Sequence, residues 1–329
     1  MPIISAPHEL TESDVYIDLE PHFGHQLHLK CEGFNFGGSV KLRVAAGLVA
    51  AAERDGLLRP GSVLVESSSG NLGIALSAIA ASKGLRFVCV TDSRCNPMTV
   101  RLMRALGAQV RIVDQPHPES GFLGARLDLV RRLCAADSNY LWLNQYENEA
   151  NWGTHFETTA AEIVKTFPRL DVLFVGTGTG GTVMGCARHL RAIGASTRVV
   201  AVDAVGSVTF GAPAATRLIP GLGAGVVPPM VDRSVIDDVL HVAEIDTVRA
   251  CRALSGRGFL LGGSSGTVLA GALSWLDTHD PTGSLTSVAI APDLGERYLD
   301  TIYDDSWVLS NYGPSALEPL PRRVLEVSR

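Results

Sequence analysis

Along most of the chain, short apolar runs alternate with longer amphipathic stretches. Six short runs rich in β-branched residues predict buried strands. They are SVLVE (62–66), RFVCVT (86–91), QVRIVD (109–114), DVLFV (171–175), RVVAVD (198–203) and TSVAIA (286–291). Two stretches between them, LGIALSAIAASKG (72–84) and PMTVRLMRALGA (97–108), predict helices. This alternation predicts an α/β fold with mostly parallel strands.

Two stretches depart from the alternation. The polar segment NQYENEANWG (144–153) interrupts it and indicates a change of domain near residue 150. The segment GAPAATRLIPGLGAGVVPPM (211–230) is rich in Gly and Pro, which predicts an ordered loop or lid. With 329 residues the chain can bury roughly three quarters of its unfolded surface, in one large domain or in two smaller ones.

Charge and composition exclude several kinds of partner. The net charge is −6 and no basic run could follow a phosphate backbone, so we expect no nucleic-acid partner. The opening MPIISAPHEL lacks a charged segment followed by an apolar core, and no run approaches the ~18 apolar residues of a membrane span. We therefore expect a cytoplasmic protein without a membrane partner. The six cysteines show no CxxC spacing, so we expect no metal site.

One glycine-rich segment fits more than one ligand. GTGTGGT (176–182) follows a predicted strand and opens a predicted helix, and Gly176, Gly178 and Gly181 satisfy GxGxxG. Asp203 ends the next strand about twenty residues on, as in a dinucleotide-binding fold. Backbone N–H groups at the start of a helix favour the same glycines for any phosphate. The segment therefore predicts phosphate binding and leaves an NAD-dependent oxidoreductase as an alternative.

Two further glycine-rich segments shift the balance. ESSSGNLG (66–73) and GGSSGT (262–267) also offer N–H groups and hydroxyls to an anion at a predicted helix start. In addition, NFGGSVKLR (35–43) places two glycines and a serine before Lys41 at the start of a helical pattern. A dinucleotide needs one such loop, whereas an amino acid together with a phosphorylated cofactor needs more. An amino-acid-binding protein without catalytic activity remains a further alternative.

A set of motifs spread over nearly the whole chain carries a family resemblance. The motifs are SVK, SSSGNLG, NQYENEANW, GTGTGGT, PGLGAG, GGSSG and ERYLDTIY, in this order. Together they resemble the cysteine synthase family of pyridoxal-phosphate (PLP) enzymes of fold type II. The resemblance implies two α/β domains with mostly parallel twisted sheets, as in the tryptophan synthase β subunit. It places a smaller domain at 35–150 and a larger one at 1–34 and 151–329, and it implies a homodimer.

The resemblance also assigns the cofactor site. Lys41 would hold PLP covalently and act as the catalytic base, because an apolar pocket lowers the pKa of a lysine toward the working range. Asn71 would bind the 3′-oxygen of the cofactor, and Ser264 would face its pyridine nitrogen. A hydroxyl does not keep that nitrogen protonated, which favours prompt loss of a β-substituent over transamination. The residues implied for the phosphate are Gly178, Thr179, Gly180, Gly181 and Thr182.

The substrate site follows from the same resemblance. The residues implied for the substrate carboxylate are Ser68, Ser69, Gly70, Asn71 and Gln145. Gln145 fits equally well as a satisfied polar residue at a domain boundary. Arg217 would bind the phosphate of a leaving group, although a solvated loop arginine is nearly as good an interpretation. Arg217 and Arg43 are the candidates for binding the carboxylates of a second substrate.

Within the family, four motifs resemble members that join O-phospho-L-serine to L-glutamate. They are ESSSGNLGIAL, NQYENEANW, VDAVGSVTFG and YDDSW. The expected product is N-(2-amino-2-carboxyethyl)-L-glutamate, a precursor of 2,3-diaminopropionate in siderophore or antibiotic biosynthesis. The alternative in the same chemistry is a cysteine synthase that uses sulfide with O-acetylserine or O-phosphoserine.

Overall fold

The computed structural model describes residues 3–11 and 14–320. The outer ends of the two predicted larger-domain segments, at residues 1–2 and 321–329, lie outside the described residues, as do residues 12 and 13. No α-helix within the described ranges combines the length and the apolar character that crossing a bilayer requires.

Strands and helices alternate along the described chain. The strands are β1 (Tyr16–Asp18), β2 (Leu27–Cys31), β3 (Val63–Ser67), β4 (Arg86–Asp92), β5 (Gln109–Val113), β6 (Tyr140–Trp142), β7 (Val172–Gly176), β8 (Arg198–Ala204), β9 (Asp238–Val242) and β10 (Ser287–Ala291). The helices are α1 (Glu20–Phe23), α2 (Lys41–Arg54), α3 (Asn71–Ser82), α4 (Pro97–Ala105), α5 (Gly121–Ala136), α6 (Ala150–Glu157), α7 (Thr159–Thr166), α8 (Gly181–Ala192), α9 (Glu244–Ser255), α10 (Gly263–His279) and α11 (Asp305–Tyr312). Short 3₁₀ turns occupy Pro7–Glu9, Arg233–Val235, Glu296–Tyr298 and Pro314–Leu317.

The strands form two sheets. The larger sheet has the order β1-β2-β10-β7-β8-β9, and the smaller one has the order β5-β4-β3-β6. Every neighbouring pair is parallel except β1 with β2. The prediction of an α/β fold with mostly parallel strands is therefore confirmed. The smaller sheet falls within the segment predicted for the smaller domain, while the domain boundaries themselves stay a prediction.

All six predicted strands and both predicted helices are present, but four strands were missed. The strands β1 and β6 have three residues each, too few for a periodic signal. Strand β2, LHLKC, reads as polar because it contains Lys30, yet Lys30 is fully buried against Glu32 and Glu162. A charged residue in a sequence normally indicates exposure, because charged residues are rarely buried unless they are paired. The paired Lys30 therefore makes the buried strand β2 hard to recognise from its sequence.

Two almost wholly buried helices bring their first turns into the interior. Helix α3 contains no charged residue, and its Leu76 and Ile79 are fully buried. Burying one such side chain contributes roughly 1.5–3 kcal/mol, so α3 is held mainly by packing. Helix α10 is buried along most of its length against the core of the larger sheet. The N–H groups of both first turns therefore lie inside the molecule.

The Gly- and Pro-rich segment 211–230 contains no α-helix and no β-strand. It is nevertheless tied to the larger sheet. The backbone N–H of Gly223 donates to the carbonyl of Thr177 at 2.9 Å, and that of Ala224 donates to Ser207 Oγ at 3.0 Å. These bonds hold the segment over the carboxyl end of β7, in agreement with the prediction of an ordered loop.

Candidate active site

A cavity of about 670 Å³ lies where the ends of several elements converge. Its wall is formed by the first turns of α2, α3, α8 and α10, by one side of α5 and by the 211–230 segment. Every residue predicted to bind the cofactor or the substrate carboxylate and leaving group lines this cavity. These residues are Lys41, Ser68, Ser69, Gly70, Asn71, Gln145, Gly178, Thr179, Gly180, Gly181, Thr182, Arg217 and Ser264. The structure thus brings them together, while their individual roles remain predictions.

Lys41 is the first residue of α2. Two bonds fix the backbone there: the N–H of Val40 donates to the carbonyl of Pro292 at 2.7 Å, and that of Lys41 donates to Ser39 Oγ at 3.3 Å. Burial lowers the pKa of Lys41 to about 8, and the nearby carboxylate of Asp293 opposes this shift. The unprotonated amine of Lys41 is therefore a minor form near neutral pH, but it is far more populated than in an ordinary lysine, as a nucleophile and base requires.

The loop between β3 and α3 is held by a serine hydroxyl. Ser68 Oγ accepts hydrogen bonds from the N–H groups of Gly70 and Gly73, at 3.3 and 3.0 Å. Asn71 begins α3, and its Nδ2 donates to Asp293 Oδ2 at 2.9 Å. Since an amide nitrogen carries two hydrogens, one remains for a ligand. The loop is preorganised, with its free N–H groups at a helix start that attracts anions.

Asp293 is a site residue that the sequence analysis missed. Its carboxylate is buried and also accepts a hydrogen bond from the hydroxyl of Tyr298 at 2.7 Å. Burial raises the pKa of Asp293, and the bonds from Asn71 and Tyr298 oppose the shift. Its position two residues beyond the apolar run TSVAIA was the available signal, because side chains that follow a buried parallel strand lie at the carboxyl edge of the sheet.

The loop between β7 and α8 forms a cradle with little side-chain volume. Among the described residues, none accepts a hydrogen bond from the backbone N–H groups of 178–182. A Cβ on Gly178 would lie 2.8 Å from the carbonyl oxygen of Gly221, and one on Gly181 would lie 2.0 Å from Asn151 Oδ1. The backbone contact requires glycine at 178, and a larger residue at 181 would displace the side chain of Asn151. Free N–H groups at the start of α8 fit a phosphate.

Helix α6 supports this cradle from behind. Asn151 Nδ2 donates to Thr179 Oγ1 at 3.1 Å, and His155 Nε2 lies 3.2 Å from Thr182 Oγ1. Burial holds the pKa of His155 well below its usual value, so the ring stays neutral. Neither residue was predicted from the sequence, although their spacing of four places them on one face of a helix.

Ser264 lies in the first turn of α10 and is buried. Its hydroxyl makes no hydrogen bond with another residue of the described part of the chain. Gly221 approaches it so closely that a Cβ there would lie 2.2 Å from Ser264 Oγ. The hydroxyl is therefore available to a ligand in the cavity.

Gln145 and Arg217 both line the cavity and also make bonds within the protein. Gln145 is buried, and its Nε2 donates to the carbonyl of Ser67 at 2.8 Å. Arg217 Nη1 donates to the carbonyl of Gly206. Gln145 thus has the contact expected of a satisfied polar residue, and its binding of substrate stays a prediction. The same holds for the binding of phosphate by Arg217.

The suggestion that Arg43 binds substrate is wrong. Its side chain is only 1% exposed, and its guanidinium donates to Glu32 at 2.8 Å and to Glu162 at 2.7 Å. Glu162 is distant in sequence, and Glu32 lies outside α2. The local pattern KLR therefore indicated neither partner. Arg43 is part of the core and does not line the cavity.

Arg126 lines the cavity and was not predicted from the sequence either. It lies on α5 and is only 9% exposed, and its Nε is 3.4 Å from Asp92 Oδ2. Its Nε and Nη1 have no hydrogen-bond partner among the described residues. The signal was a single arginine within the apolar stretch GFLGARLDLV. A buried guanidinium with unused donors is costly unless an anion binds it.

These groups fit PLP. The cavity contains a lysine of lowered pKa, a glycine cradle with free N–H groups at a helix start, an amide hydrogen on Asn71 and an unpaired hydroxyl on Ser264. Each corresponds to one functional group of the cofactor: the aldehyde, the phosphate, the 3′-oxygen and the pyridine nitrogen.

Known proteins give an independent comparison. The sequence model of the family described as "Pyridoxal-phosphate dependent enzyme" matches residues 16–293. Two proteins named N-(2-amino-2-carboxyethyl)-L-glutamate synthase, from Ralstonia nicotianae and Cupriavidus metallidurans, are 42% and 43% identical over 285 and 289 residues. Each alignment covers 86% of this chain and 84% of the relative.

Solved structures agree with this comparison. The crystal structure of O-ureido-L-serine synthase has a TM-score of 0.83 and 34% identity, covering 93% of this chain and 99% of that one. A hydrogen sulfide-producing enzyme from Fusobacterium nucleatum has a TM-score of 0.83 and 32% identity, covering 90% of this chain and 100% of that one. The resemblance to fold type II is confirmed, and the alternatives of an NAD-dependent oxidoreductase and of a protein without catalytic activity are set aside. The chain belongs to the family of pyridoxal-phosphate-dependent enzymes.

Proposed function

We propose that the protein catalyses a β-replacement in which the phosphate of O-phospho-L-serine is exchanged for the amine of L-glutamate. The product would be N-(2-amino-2-carboxyethyl)-L-glutamate, a precursor of 2,3-diaminopropionate. The observation that carries this proposal is the convergence, in one cavity, of Lys41 with the glycine-rich starts of α3, α8 and α10 and with arginines that include Arg126 and Arg217. A phosphorylated cofactor, a phosphorylated amino acid and a dicarboxylate need that many anion sites. The names of the relatives from Ralstonia nicotianae and Cupriavidus metallidurans support glutamate as the second substrate.

Lys41 is the base of the reaction. When bound, PLP would withdraw electrons from Cα of the substrate, which makes its proton acidic and allows the β-substituent to leave. Lys41 Nζ takes this proton and later returns it to Cα. A pKa of about 8 is close to the working pH, so the amine is both a competent base and a competent acid.

The loop at 68–71 binds the carboxylate of O-phosphoserine. Its N–H groups point from the start of α3, where the helix dipole attracts negative charge. Asp293 holds the side chain of Asn71 in place by accepting its hydrogen bond. Fixing the carboxylate orients the Cα–H bond toward Lys41, and this positioning lowers the barrier without new chemistry.

Arg217 and Arg126 serve the anionic groups beyond that carboxylate. Arg217 belongs to the 211–230 segment and binds the leaving phosphate, for which a planar guanidinium is well suited. Arg126 lies on α5, next to Asp92, and its donors without a hydrogen-bond partner are available to an anionic substrate. Two separate guanidinium groups match a reaction in which both substrates are anionic.

Ser264 favours loss of the β-substituent over transamination. A hydroxyl opposite the pyridine nitrogen does not keep that nitrogen protonated, as a carboxylate would. The negative charge that develops at Cα is then poorly delocalised and short-lived. Rapid loss of the β-substituent is favoured over transamination.

The second candidate is a cysteine synthase that uses sulfide. The likeness to a hydrogen sulfide-producing enzyme favours it. The cavity of about 670 Å³ must also hold PLP and the first substrate, so its size does not decide between sulfide and glutamate. An amine must reach the β-carbon unprotonated and desolvated, which requires a pocket that holds the rest of the nucleophile.

Competition between nucleophiles tests the proposal. The holoenzyme is supplied with O-phosphoserine, glutamate and sulfide at comparable concentrations, and the products are identified by mass spectrometry. We expect the glutamate adduct to dominate. Cysteine as the main product, without the adduct, would establish the cysteine synthase instead.

The cellular setting is part of the same proposal. We propose a cytoplasmic homodimer with small amino-acid substrates, acting in the biosynthesis of a siderophore or an antibiotic. Light scattering of the purified protein would measure the mass of the assembly, and a monomeric mass would contradict the dimer.

The division into domains at 35–150 and at 1–34 with 151–329 is supported by the separation of the strands into two sheets.

A further inference from the structure

A carboxylate that the proposed mechanism does not use lies directly behind the substrate loop. Glu66 is near the end of β3 and is fully buried. It accepts hydrogen bonds from the N–H of Ser67 at 2.8 Å, from Trp142 Nε1 at 3.3 Å and from the N–H of Gln145 at 3.1 Å. Three N–H donors around one carboxylate indicate an arrangement built for the ionised form.

These bonds connect the two walls of the proposed carboxylate site. Ser67 leads into the loop at 68–71, and Gln145 belongs to the connection between β6 and α6. Gln145 Nε2 donates back to the carbonyl of Ser67 at 2.8 Å, which closes a ring through Glu66. Neither wall can shift relative to the other without breaking a bond to Glu66 or to Ser67.

We propose that Glu66 is a positioning residue that, in its ionised form, keeps the 68–71 loop and Gln145 in the arrangement that binds the carboxylate of an amino-acid substrate. Glu66 does not contact the substrate. Its effect passes through Ser67 and Gln145. This inference rests on the proposed function of the 68–71 loop as a carboxylate site, but not on the identity of the second substrate.

The protonation of Glu66 changes near neutral pH. Burial raises the pKa of Glu66 to about 7, and the bonds from Ser67, Trp142 and Gln145 oppose the shift. The titratable groups that face it are Cys89 on β4, Cys134 on α5 and Tyr146 after β6. Burial raises the pKa of each of these three groups, so they stay neutral when Glu66 titrates.

Among the described residues, Arg126 is a charged group that interacts with this cluster, through Cys89 and Tyr146. As the pH falls through about 7, Glu66 gains a proton and one of its two oxygens becomes a donor. The N–H facing that oxygen then loses its acceptor. Substrate binding should therefore weaken on the acid side of this value and be fully supported above it.

The test compares the wild-type holoenzyme with Glu66→Gln, which keeps the shape and removes the ionisation. O-phosphoserine is titrated without a second substrate, and the half-saturating concentration is read from the absorbance of bound PLP. The ratio of the variant to the wild type cancels the ionisation of the ligand itself. We expect a ratio of about ten at roughly pH 8.5, falling toward one near pH 6. Glu149→Gln, at an exposed position on the same connection, should give a ratio of about one at both values.

The outcomes separate this inference from the proposed function. A Glu66→Gln ratio that is the same at both pH values, whatever its size, overturns the role of Glu66. A wild-type holoenzyme whose absorbance does not respond to O-phosphoserine overturns the proposed function instead. If Glu66→Gln does not fold, Trp142→Phe is used instead, because it removes one hydrogen-bond donor to Glu66. The midpoint of the pH dependence of O-phosphoserine binding should then lie roughly one unit higher in Trp142→Phe than in the wild type. An unchanged midpoint would again overturn the role of Glu66.

Discussion

The side-chain amide of Asn71 donates to the carboxylate of Asp293 at 2.9 Å, which joins the first turn of α3 to the end of β10. The same carboxylate raises the pKa of Lys41 against the effect of burial. Asp293 therefore acts on two residues of the cofactor site at once. It orients Asn71 and raises the pKa of Lys41.

Replacing Asp293 with Asn should lower the pKa of Lys41 below about 8, because the carboxylate that favours the ammonium form is removed. The measurement is the rate at which the PLP-free protein captures added PLP, followed by absorbance as a function of pH. The midpoint should move to lower pH in the variant. Asp300→Asn, at an exposed position nearby, should leave it unchanged. Equal midpoints for Asp293→Asn and the wild type would show that this carboxylate does not control Lys41.

Lys41→Ala should fold normally and fail to bind PLP covalently. Turnover should fall by several orders of magnitude, because both the attachment point and the base are lost. Borohydride reduction followed by peptide mass spectrometry locates the label in the wild type, and Lys165→Ala, an exposed position, should behave like the wild type. Wild-type turnover by Lys41→Ala, or a label on another lysine, would contradict the assignment.

The fold was largely predictable because it depends on local patterns. The runs VLV in β3 and FVCV in β4 are apolar without interruption, so their burial follows from composition alone. The motifs around Lys41, Asn71 and Gly178 carry local conformational requirements, which is why their residue patterns alone assign them to helix starts.

The contributions of Arg43, Asp293 and Arg126 were not predictable in the same way. The role of each depends on a partner far along the chain: Arg43 meets Glu162 across 119 positions, and Asp293 meets Asn71 across 222. Local periodicity contains no information about such a partner. A charged residue in an apolar stretch only signals that a partner or a ligand must exist.

Because Arg43 is a core residue, its replacement should affect stability more than catalysis. Arg43→Met would leave the carboxylates of Glu32 and Glu162 to share Lys30, so one negative charge would lose its compensation, which should cost about 3–5 kcal/mol of unfolding free energy. Chemical denaturation measures this loss, and the Michaelis constant for glutamate in the remaining folded protein should be unchanged. A large rise in that constant at unchanged stability would restore a substrate role for Arg43.

Ser264→Asp should change the outcome of the reaction. A carboxylate opposite the pyridine nitrogen would keep it protonated, stabilise negative charge at Cα and open the route to transamination. β-Replacement should slow while pyridoxamine phosphate accumulates, which chromatography of the released cofactor detects. Ser264→Asn introduces a side chain of nearly the same volume as aspartate without the charge and should not accumulate it. An unchanged product ratio in Ser264→Asp would mean that Ser264 does not face the nitrogen.

Arg217 and Arg126 should differ in which substrate they serve. If Arg217 binds the leaving phosphate, Arg217→Ala should slow the reaction of O-phosphoserine by roughly tenfold or more while affecting O-acetylserine much less, since acetate offers no dianion to bind.

Arg126→Ala should weaken binding of an anionic substrate while PLP uptake stays intact, because its guanidinium is buried without a hydrogen-bonded partner of its own. Arg169→Ala, at an exposed position, controls for the loss of surface charge. Steady-state kinetics with both serine esters, at saturating glutamate, separates these effects. If Arg217→Ala slows the two esters equally, the phosphate is bound elsewhere, and Arg126 becomes the group to test with the same pair of substrates.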